Sequence, residues 1–343
     1  MFKKILAFCI AIIMLLSLCG CDSFIFDSIE FDGALNVHFI DVGQGDSILL
    51  ESGGVYVLVD AGERDAAQSV CDYLDRCGVK KIDYVIATHP HSDHCGGLTK
   101  VINRYDCVNF ITTETDQQTN TWLDVLHAVD ENDVNYIDAK VGDTYSFGES
   151  SFEIMGPVYD YYEDYNNHSV VIKATCGNNS FLLTGDAESL SELEMINNGA
   201  DLDSDVLKVS HHGSSTSSAP QFLNAVSPKC AIISCGKNND YGHPHVETVN
   251  SLNGRNIPYY RTDKLGSIVI SSDKQNLTIH YGDESHLIEE PKPYSFVGNK
   301  NSKKFHISTC EGANKIKESN KVYFDSYEDA INGGYTSCNT CRP

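Results

Sequence analysis

Six consecutive residues carry the densest chemistry in this sequence: His89-Pro90-His91-Ser92-Asp93-His94. Imidazole nitrogens and carboxylate oxygens are ligands for zinc and similar divalent cations. Placed at i, i+2, i+4 and i+5 on a loop leaving a buried strand, they can be aimed into one cavity. Four of them exceed what one cation with an open position needs, and they suit two adjacent ions roughly 3.5–4 Å apart. Further ligand types follow along the chain. Asp186 closes the apolar run that starts at Ser180, His168 stands in Asn166-Asn167-His168-Ser169, His211 and His212 follow Lys208, and His243 stands in Tyr241-Gly-His-Pro-His245. A separate set lies near the end: His306-x3-Cys310 and, after 27 intervening residues, Cys338-x2-Cys341. That spacing suits a closed tetrahedral zinc site, which would stabilise a domain too small for a large core. A disulfide is the other use of those cysteines in an oxidising compartment.

Short apolar, β-branched runs predict strands over 35–42, 55–59, 82–87, 151–155, 168–175, 180–184, 205–209, 229–234, 266–271 and 276–281. Helical spacing predicts helices over 66–77, 97–104, 121–131, 188–197, 219–226 and 245–253. Strands mixed with helices on this scale imply a layered α/β domain, assigned to 31–282. The 82–87 strand runs into the histidine cluster and the 205–209 strand ends at His211-His212, so the candidate ligands sit at strand ends. Gly43 to Asp46 reads as a turn, in which Asp41 and Asp46 are bracing residues and Gln44 lines the pocket. Ser214, Ser215 and Thr216 either contact the substrate or cap the helix that follows. The acidic, Pro-containing stretch 283–293 reads as a linker to a module at 294–343.

The N-terminus is an address. Lys3 and Lys4 precede an apolar stretch from Ile5 to Leu18, too short for an ordinary spanning helix and fitting a secretory leader over 1–20. It ends in Leu18-Cys19-Gly20-Cys21, which resembles a bacterial lipobox and implies lipidation of Cys21, with 21–30 as a tether. The resulting expectation is an exported protein held on the outer face of the cell membrane. Of 343 residues, 25 are Lys or Arg against 48 Asp or Glu, a formal charge of −23. Removal of the leader makes the chain more acidic still. Such a surface is poorly suited to general nucleic-acid binding, which rests on Lys and Arg. The exception is the last module, where Lys300, Lys303, Lys304, Lys315, Lys317 and Lys321 give a locally basic face.

The H-x-H-x-D-H string resembles the signature of the metallo-β-lactamase superfamily. The resemblance implies a four-layer αββα sandwich and a metal-dependent hydrolase. It assigns His89 and His91 to one metal, Asp93 and His94 to the other, and Asp186 to the bridge between them. It also implies that Asp60, in Val57-Leu-Val-Asp60-Ala-Gly62, orients the ligands without binding metal. One of His211 and His212 is the last ligand, with His212 favoured; His168 is the candidate for a middle histidine on the first metal. Phe39-Ile-Asp41-Val-Gly-Gln44-Gly-Asp46, the Asn-Asn-x-Ser stretch, His211-His-Gly-Ser214 and Tyr241-Gly-His243-Pro-His245 look like the extracellular domain of ComEC-type DNA-uptake proteins, over 35–282. The tail resembles the metal-binding domain of the Ada repair protein. That family uses four cysteines, the first of which accepts methyl groups; His306 stands in its place here, so a structural zinc is implied and alkyl transfer is not.

These resemblances imply two divalent ions, zinc or manganese, in the main domain and one structural zinc in the tail. Catalysis would fall on Asp186, Asp93 and His243. The expected activity is hydrolysis of a phosphodiester by metal-activated hydroxide, with extracellular DNA as substrate. Teichoic acid, phosphorylcholine or small nucleotides are the alternative substrates, and a metal-holding protein without turnover is the alternative class.

Overall fold

The computed structural model describes residues 29–343 apart from 283, 289–295, 308–309, 325–326, 339–340 and 342–343. The leader, Cys21 and all but the end of the tether lie outside the described residues. No described helix is long and apolar enough to cross a membrane.

Two sheets form the centre of the main domain. The first begins with β1 (Leu35–Phe39), β2 (Ile48–Ser52), β3 (Val55–Val59), β4 (Lys81–Ile86), β5 (Asp106–Thr112) and β6 (Asn135–Asp138). The second holds β7 (Thr144–Phe147), β8 (Ser150–Gly156), β9 (Val171–Cys176), β10 (Asn179–Leu183), β11 (Val206–Lys208), β12 (Cys230–Ile233) and β13 (Tyr259–Arg261). The chain then returns to the first sheet with β14 (Ile268–Ser272), β15 (Leu277–Tyr281) and β16 (Glu284–Leu287), giving the order β16-β15-β14-β1-β2-β3-β4-β5-β6. The second sheet runs β13-β12-β11-β10-β9-β8-β7. Because β16 pairs with β15, the sheet continues past residue 282, and the first part of the stretch read as a linker is a strand.

Strand periodicity sorts the apolar residues into layers. Val37, Phe39, Leu50, Val57 and Ile86 from the first sheet meet Phe152, Ile172, Phe181 and Ile232 from the second in one buried cluster. The alternate residues, Leu49, Leu58 and Val85, face outward onto α1 (Ala67–Arg76), α2 (Ser92–Cys95), α3 (Leu98–Arg104) and α4 (Asn120–Glu131). On the far side Leu182, Leu207 and Ala231 meet Met195, Phe222 and Leu252 from α5 (Ser189–Asn197), α6 (Pro220–Val226) and α7 (Val246–Asn253). The result is the four-layer αββα sandwich. Strands covered on both faces read as continuous apolar runs, which is why most were visible in the sequence.

Two differences bear on the site. The strand expected to reach residue 42 stops at Phe39, because Gly43 and Gly45 turn at positive φ (76° and 130°) and a Cβ on Gly45 would lie 2.2 Å from the Asp93 carbonyl oxygen. The strand expected from residue 168 begins at Val171, because Tyr165–His168 form a helical turn in which the Asp164 carboxylate accepts from the Asn166 N–H.

β3, β4 and β5 pair in parallel, as do β10, β11 and β12. Their carboxyl ends therefore open on one edge, where α/β sheets hold ligands. The tail forms a smaller sheet, β17 (Phe296–Asn299), β18 (Lys304–Ile307), β19 (Lys321–Phe324) and β20 (Thr336–Ser337), in the order β19-β17-β18-β20.

Phe152 is fully buried between the two sheets. Phe152→Ala should lower unfolding free energy by about 3–5 kcal/mol, read from the urea midpoint at unchanged slope.

Candidate metal centre

Each candidate ligand follows a parallel strand. Asp60 comes directly after β3, and its N–H donates to the Ile86 carbonyl of β4 at 2.9 Å. It turns at φ 58°, which swings its carboxylate under the next loop. There it accepts from the Thr88 N–H at 2.8 Å and the Thr88 hydroxyl at 2.7 Å, and it lies 2.8 Å from His94 Nδ1. His94 is thereby fixed with Nε2 pointing away from Asp60. His89 Nδ1 lies 3.1 Å from Thr88 Oγ1 and 3.3 Å from Ser169 Oγ, so its Nε2 also faces the cavity.

Asp186 follows β10. Its N–H donates to Ser169 Oγ at 3.0 Å. The preceding Gly185 sits at φ 52°, where a Cβ would come within 2.9 Å of Thr88. Asp186 Oδ1 is 3.2 Å from His94 Nε2, and Oδ2 is 3.4 Å from His212 Nε2, 3.8 Å from His211 Nε2 and 4.0 Å from His89 Nε2. His91 completes the first side, with Nδ1 3.0 Å from His89 Nε2. Asp93 completes the second, with Oδ2 3.2 Å from His212 Nε2 and 3.9 Å from His94 Nε2.

The pair after β11 is split by its backbone. His211 and His212 both stand at positive φ, 51° and 54°, and the turn sends the two rings opposite ways. His212 goes inward, with Nε2 3.3 Å from His94 Nε2 and Nδ1 3.0 Å from the Ser234 carbonyl. His211 stays at the rim, 3.0 Å from Thr216 Oγ1 and 3.4 Å from Glu188. The structure places His212 in the ligand group and His211 on the wall of the cleft.

His168 is not brought to this group. Its Nε2 lies 3.1 Å from the Tyr162 nitrogen and 3.2 Å from the Tyr162 carbonyl oxygen, and its ring lies among Tyr161, Tyr162 and Tyr165. Asn166, two residues earlier, lines the cleft instead. Of the residues assigned to the first metal, His89, His91 and Asp186 come together, without a third histidine. Asp41 is exposed and accepts from the Gly43 N–H at 3.1 Å, a turn brace away from the ligands. Gln44 accepts from the Gly236 N–H at 3.0 Å and brings its amide nitrogen 3.5 Å from His243 Nδ1. His243 stands in the cleft, its ring stacked on Tyr241 at 5.6 Å. Burial, then the positive charge of His212 and His211, pull it down to about 4.

Two residues, Lys208 and Ser169, have roles the sequence did not suggest, and Asp46 does more than brace a turn. Asp46 is buried behind His212, with Oδ1 3.3 Å from His212 Nδ1 and Oδ2 2.7 Å from Lys208 Nζ. Lys208 is fully buried within β11. A lysine inside an apolar strand was the available signal, since buried lysines are rare unless paired. Ser169 joins His89 to Asp186 and left no comparable trace.

The donor set fits divalent cations. Asp186 Oδ1 is buried without a hydrogen-bond partner, and acceptor atoms from two carboxylates and two imidazoles crowd within 3.2–3.9 Å. Acceptors do not gather in a buried space without positive charge among them. The protonation balance agrees. Burial would lower His94 and His212, but Asp186, with Asp93 and Asp60 at His94 and Asp46 at His212, raises both well above the ordinary imidazole value. Burial would raise Asp186, yet His212 and His94 hold it well below the usual carboxylate range. Asp46, His94, Asp186 and His212 form one group with ligand atoms within 4.8 Å of one another.

In the tail, His306, Cys310, Cys338 and Cys341 form a second such group within 4.8 Å. None of the three cysteines is in a disulfide, and His306 Nδ1 lies 3.4 Å from Cys310 Sγ. Gly312 leaves the room, since a Cβ there would meet the His306 ring at 2.7 Å. The set matches the composition of a structural zinc site.

The profile of the metallo-beta-lactamase superfamily matches residues 40–237. The chain belongs to that superfamily. The profile of the metal binding domain of Ada matches residues 294–343. ComE operon protein 3 of Bacillus subtilis is 31% identical over 269 residues, covering 71% of this chain and 34% of that one. Competence protein ComA of Neisseria gonorrhoeae is 30% identical over 230 residues, covering 66% and 31%. Recombination protein 2 of Haemophilus influenzae is 30% identical over 248 residues, covering 71% and 29%. The chain spans about a third of the length of these relatives.

Lys208→Met should leave the Asp46 charge buried and unpaired, at a cost of about 3–5 kcal/mol in denaturant unfolding. Adding Asp46→Asn should recover most of that stability. The double variant should still bind zinc about 10–100-fold more weakly in chelator competition, because His212 has lost its orienting carboxylate.

Proposed function

We propose that the main domain is a dinuclear metal-dependent phosphodiesterase and that its substrate is DNA outside the cell. The observation that carries this reading is the position of Asp186. Its Oδ1 lies 3.2 Å from His94 Nε2 and its Oδ2 lies 3.4 Å from His212 Nε2 and 4.0 Å from His89 Nε2, so one carboxylate reaches histidines of both ligand pairs at the floor of a cleft of about 320 Å³.

Two divalent cations in these positions supply Lewis-acid charge and acidify water toward neutrality. The residues do the rest. Asp186, fixed through Ser169, and Asp93, at the mouth of the cleft, can hold the proton and orientation of an attacking water. His243 receives the Gln44 amide on Nδ1, which leaves a proton on Nε2 to donate to a phosphoryl or leaving-group oxygen. Asn166 stands where it can bond a non-bridging oxygen. Tyr241, 68% exposed at the rim, offers a face on which a base can stack.

The competence and recombination relatives support nucleic acid as the substrate class, and the basic tail module supports contact with it. The charge of −23 favours a second reading, a phosphodiesterase of wall polymer or small nucleotides. The leader and Cys21 support a place on the outer face of the cell membrane.

The test is hydrolysis of labelled single- and double-stranded DNA by residues 22–343 with Mn²⁺ or Zn²⁺, beside Asp186→Ala and a chelator. The proposal expects cleavage that both the substitution and the chelator abolish, a loss of at least about 10³-fold. Turnover of a simple phosphodiester with no cleavage of either DNA would overturn the nuclease reading.

A further inference from the structure

The turn Tyr165–His168 has two faces. Asn166 lines the cleft, whereas His168 lines a separate cavity of about 470 Å³. Its walls come from the ends of β5 and β6 and from the loop after β8. A row of rings joins the two spaces. The His91 and Tyr165 centroids are 6.3 Å apart, Tyr165 and His168 5.7 Å, and His168 and Tyr161 6.5 Å.

Three features of this cavity have no role in the metal centre. Tyr159 and Tyr161 stand 58% and 71% exposed at its edge. His168 is 3% exposed. Its Nε2 lies 3.1 Å from the Tyr162 nitrogen and 3.2 Å from the Tyr162 carbonyl oxygen, while its Nδ1 is buried with no partner. Third, the ionisable lining is Glu114, Asp116, Asp138 and Asp160 against Lys140 alone. That ammonium is already held 2.6 Å from Asp138 and 3.7 Å from Asp160.

Chemistry narrows the occupant. A phosphate would meet four carboxylates and a lysine already engaged. A planar ring gains from stacking on exposed phenols, about 1–3 kcal/mol per base. Carboxylates only accept, so they select an edge rich in donors.

We propose that this cavity is a base subsite for the nucleotide beside the scissile phosphodiester, and that it prefers guanine over thymine. This rests on the phosphodiesterase reading above. Guanine presents N1–H and an amino group side by side to a carboxylate. Thymine has one ring N–H between two carbonyl oxygens, which a carboxylate repels.

The experiment titrates guanosine, thymidine and tetramethylammonium into the zinc-loaded protein by calorimetry. Nucleosides carry no phosphate for the metal centre to hold, and substitutions in the cavity wall separate its signal from stacking on Tyr241 at the rim of the cleft. Guanosine should bind about tenfold tighter than thymidine, the discrimination of one good base-edge contact. Glu114→Gln and Tyr161→Ala should each remove most of that preference. Neither should alter hydrolysis of bis(4-nitrophenyl) phosphate, which is too small to need the subsite. Equal affinity for the two nucleosides, no nucleoside binding, or tighter binding of tetramethylammonium would each overturn the proposal. Failure to hydrolyse bis(4-nitrophenyl) phosphate would instead count against the phosphodiesterase reading, and the guanosine isotherm would still decide the cavity.

Discussion

The structure depends on an arrangement that would repel itself if nothing positive stood among its parts. Asp186, Asp93, His94 and His212 bring acceptor atoms to 3.2–3.9 Å of one another in a buried space. Keeping them there requires support from behind. Asp60 holds His94, Ser169 holds the backbone of Asp186, and Asp46 backs His212 with its own charge matched by Lys208. These supports come from both sheets, so the sandwich is what makes the crowding possible. Parallel strands place their carboxyl ends together, and the loops leaving them converge on the same edge of both sheets.

Much of this was legible in the sequence. The ligand string announced itself by density, and the strands feeding it were apolar on both faces. Local geometry was not legible. Nothing in the composition says that His211 and His212 sit at positive φ, so the choice between them waited for the turn. Asn166 and His168 are two residues apart, and a strand through 168 would have put both on one face. The 3₁₀ turn capped by Asp164 instead sends Asn166 to the cleft and His168 to the neighbouring cavity. Edge strands such as β6 and β7 are half exposed and carry weaker patterns, which is why they went unread. Asp46 looked like a turn residue because its partner, Lys208, is 162 positions away in sequence.

The tail applies the same ligand chemistry to another end. Its apolar clusters are small: Val297, Cys310, Ala313 and Ile316 in one, Phe305, Ala330 and Tyr335 in the other. A domain of that size needs a staple, and four converging His and Cys side chains provide one. The main domain has three large buried clusters of its own and so does not lack a core in the way the tail does. Cations in its cleft would therefore serve reactivity rather than folding.

The central claim is that one chain holds cations of these two kinds in these two places. Metal content of the zinc-equilibrated, desalted protein, counted by mass spectrometry beside Asp186→Asn, tests it most directly. The account predicts three zinc ions per wild-type chain, the sum of two in a dinuclear centre and one in the tail. It predicts that Asp186→Asn loses zinc from the main domain and keeps the one in the tail. One zinc per wild-type chain, unchanged by the substitution, would contradict it.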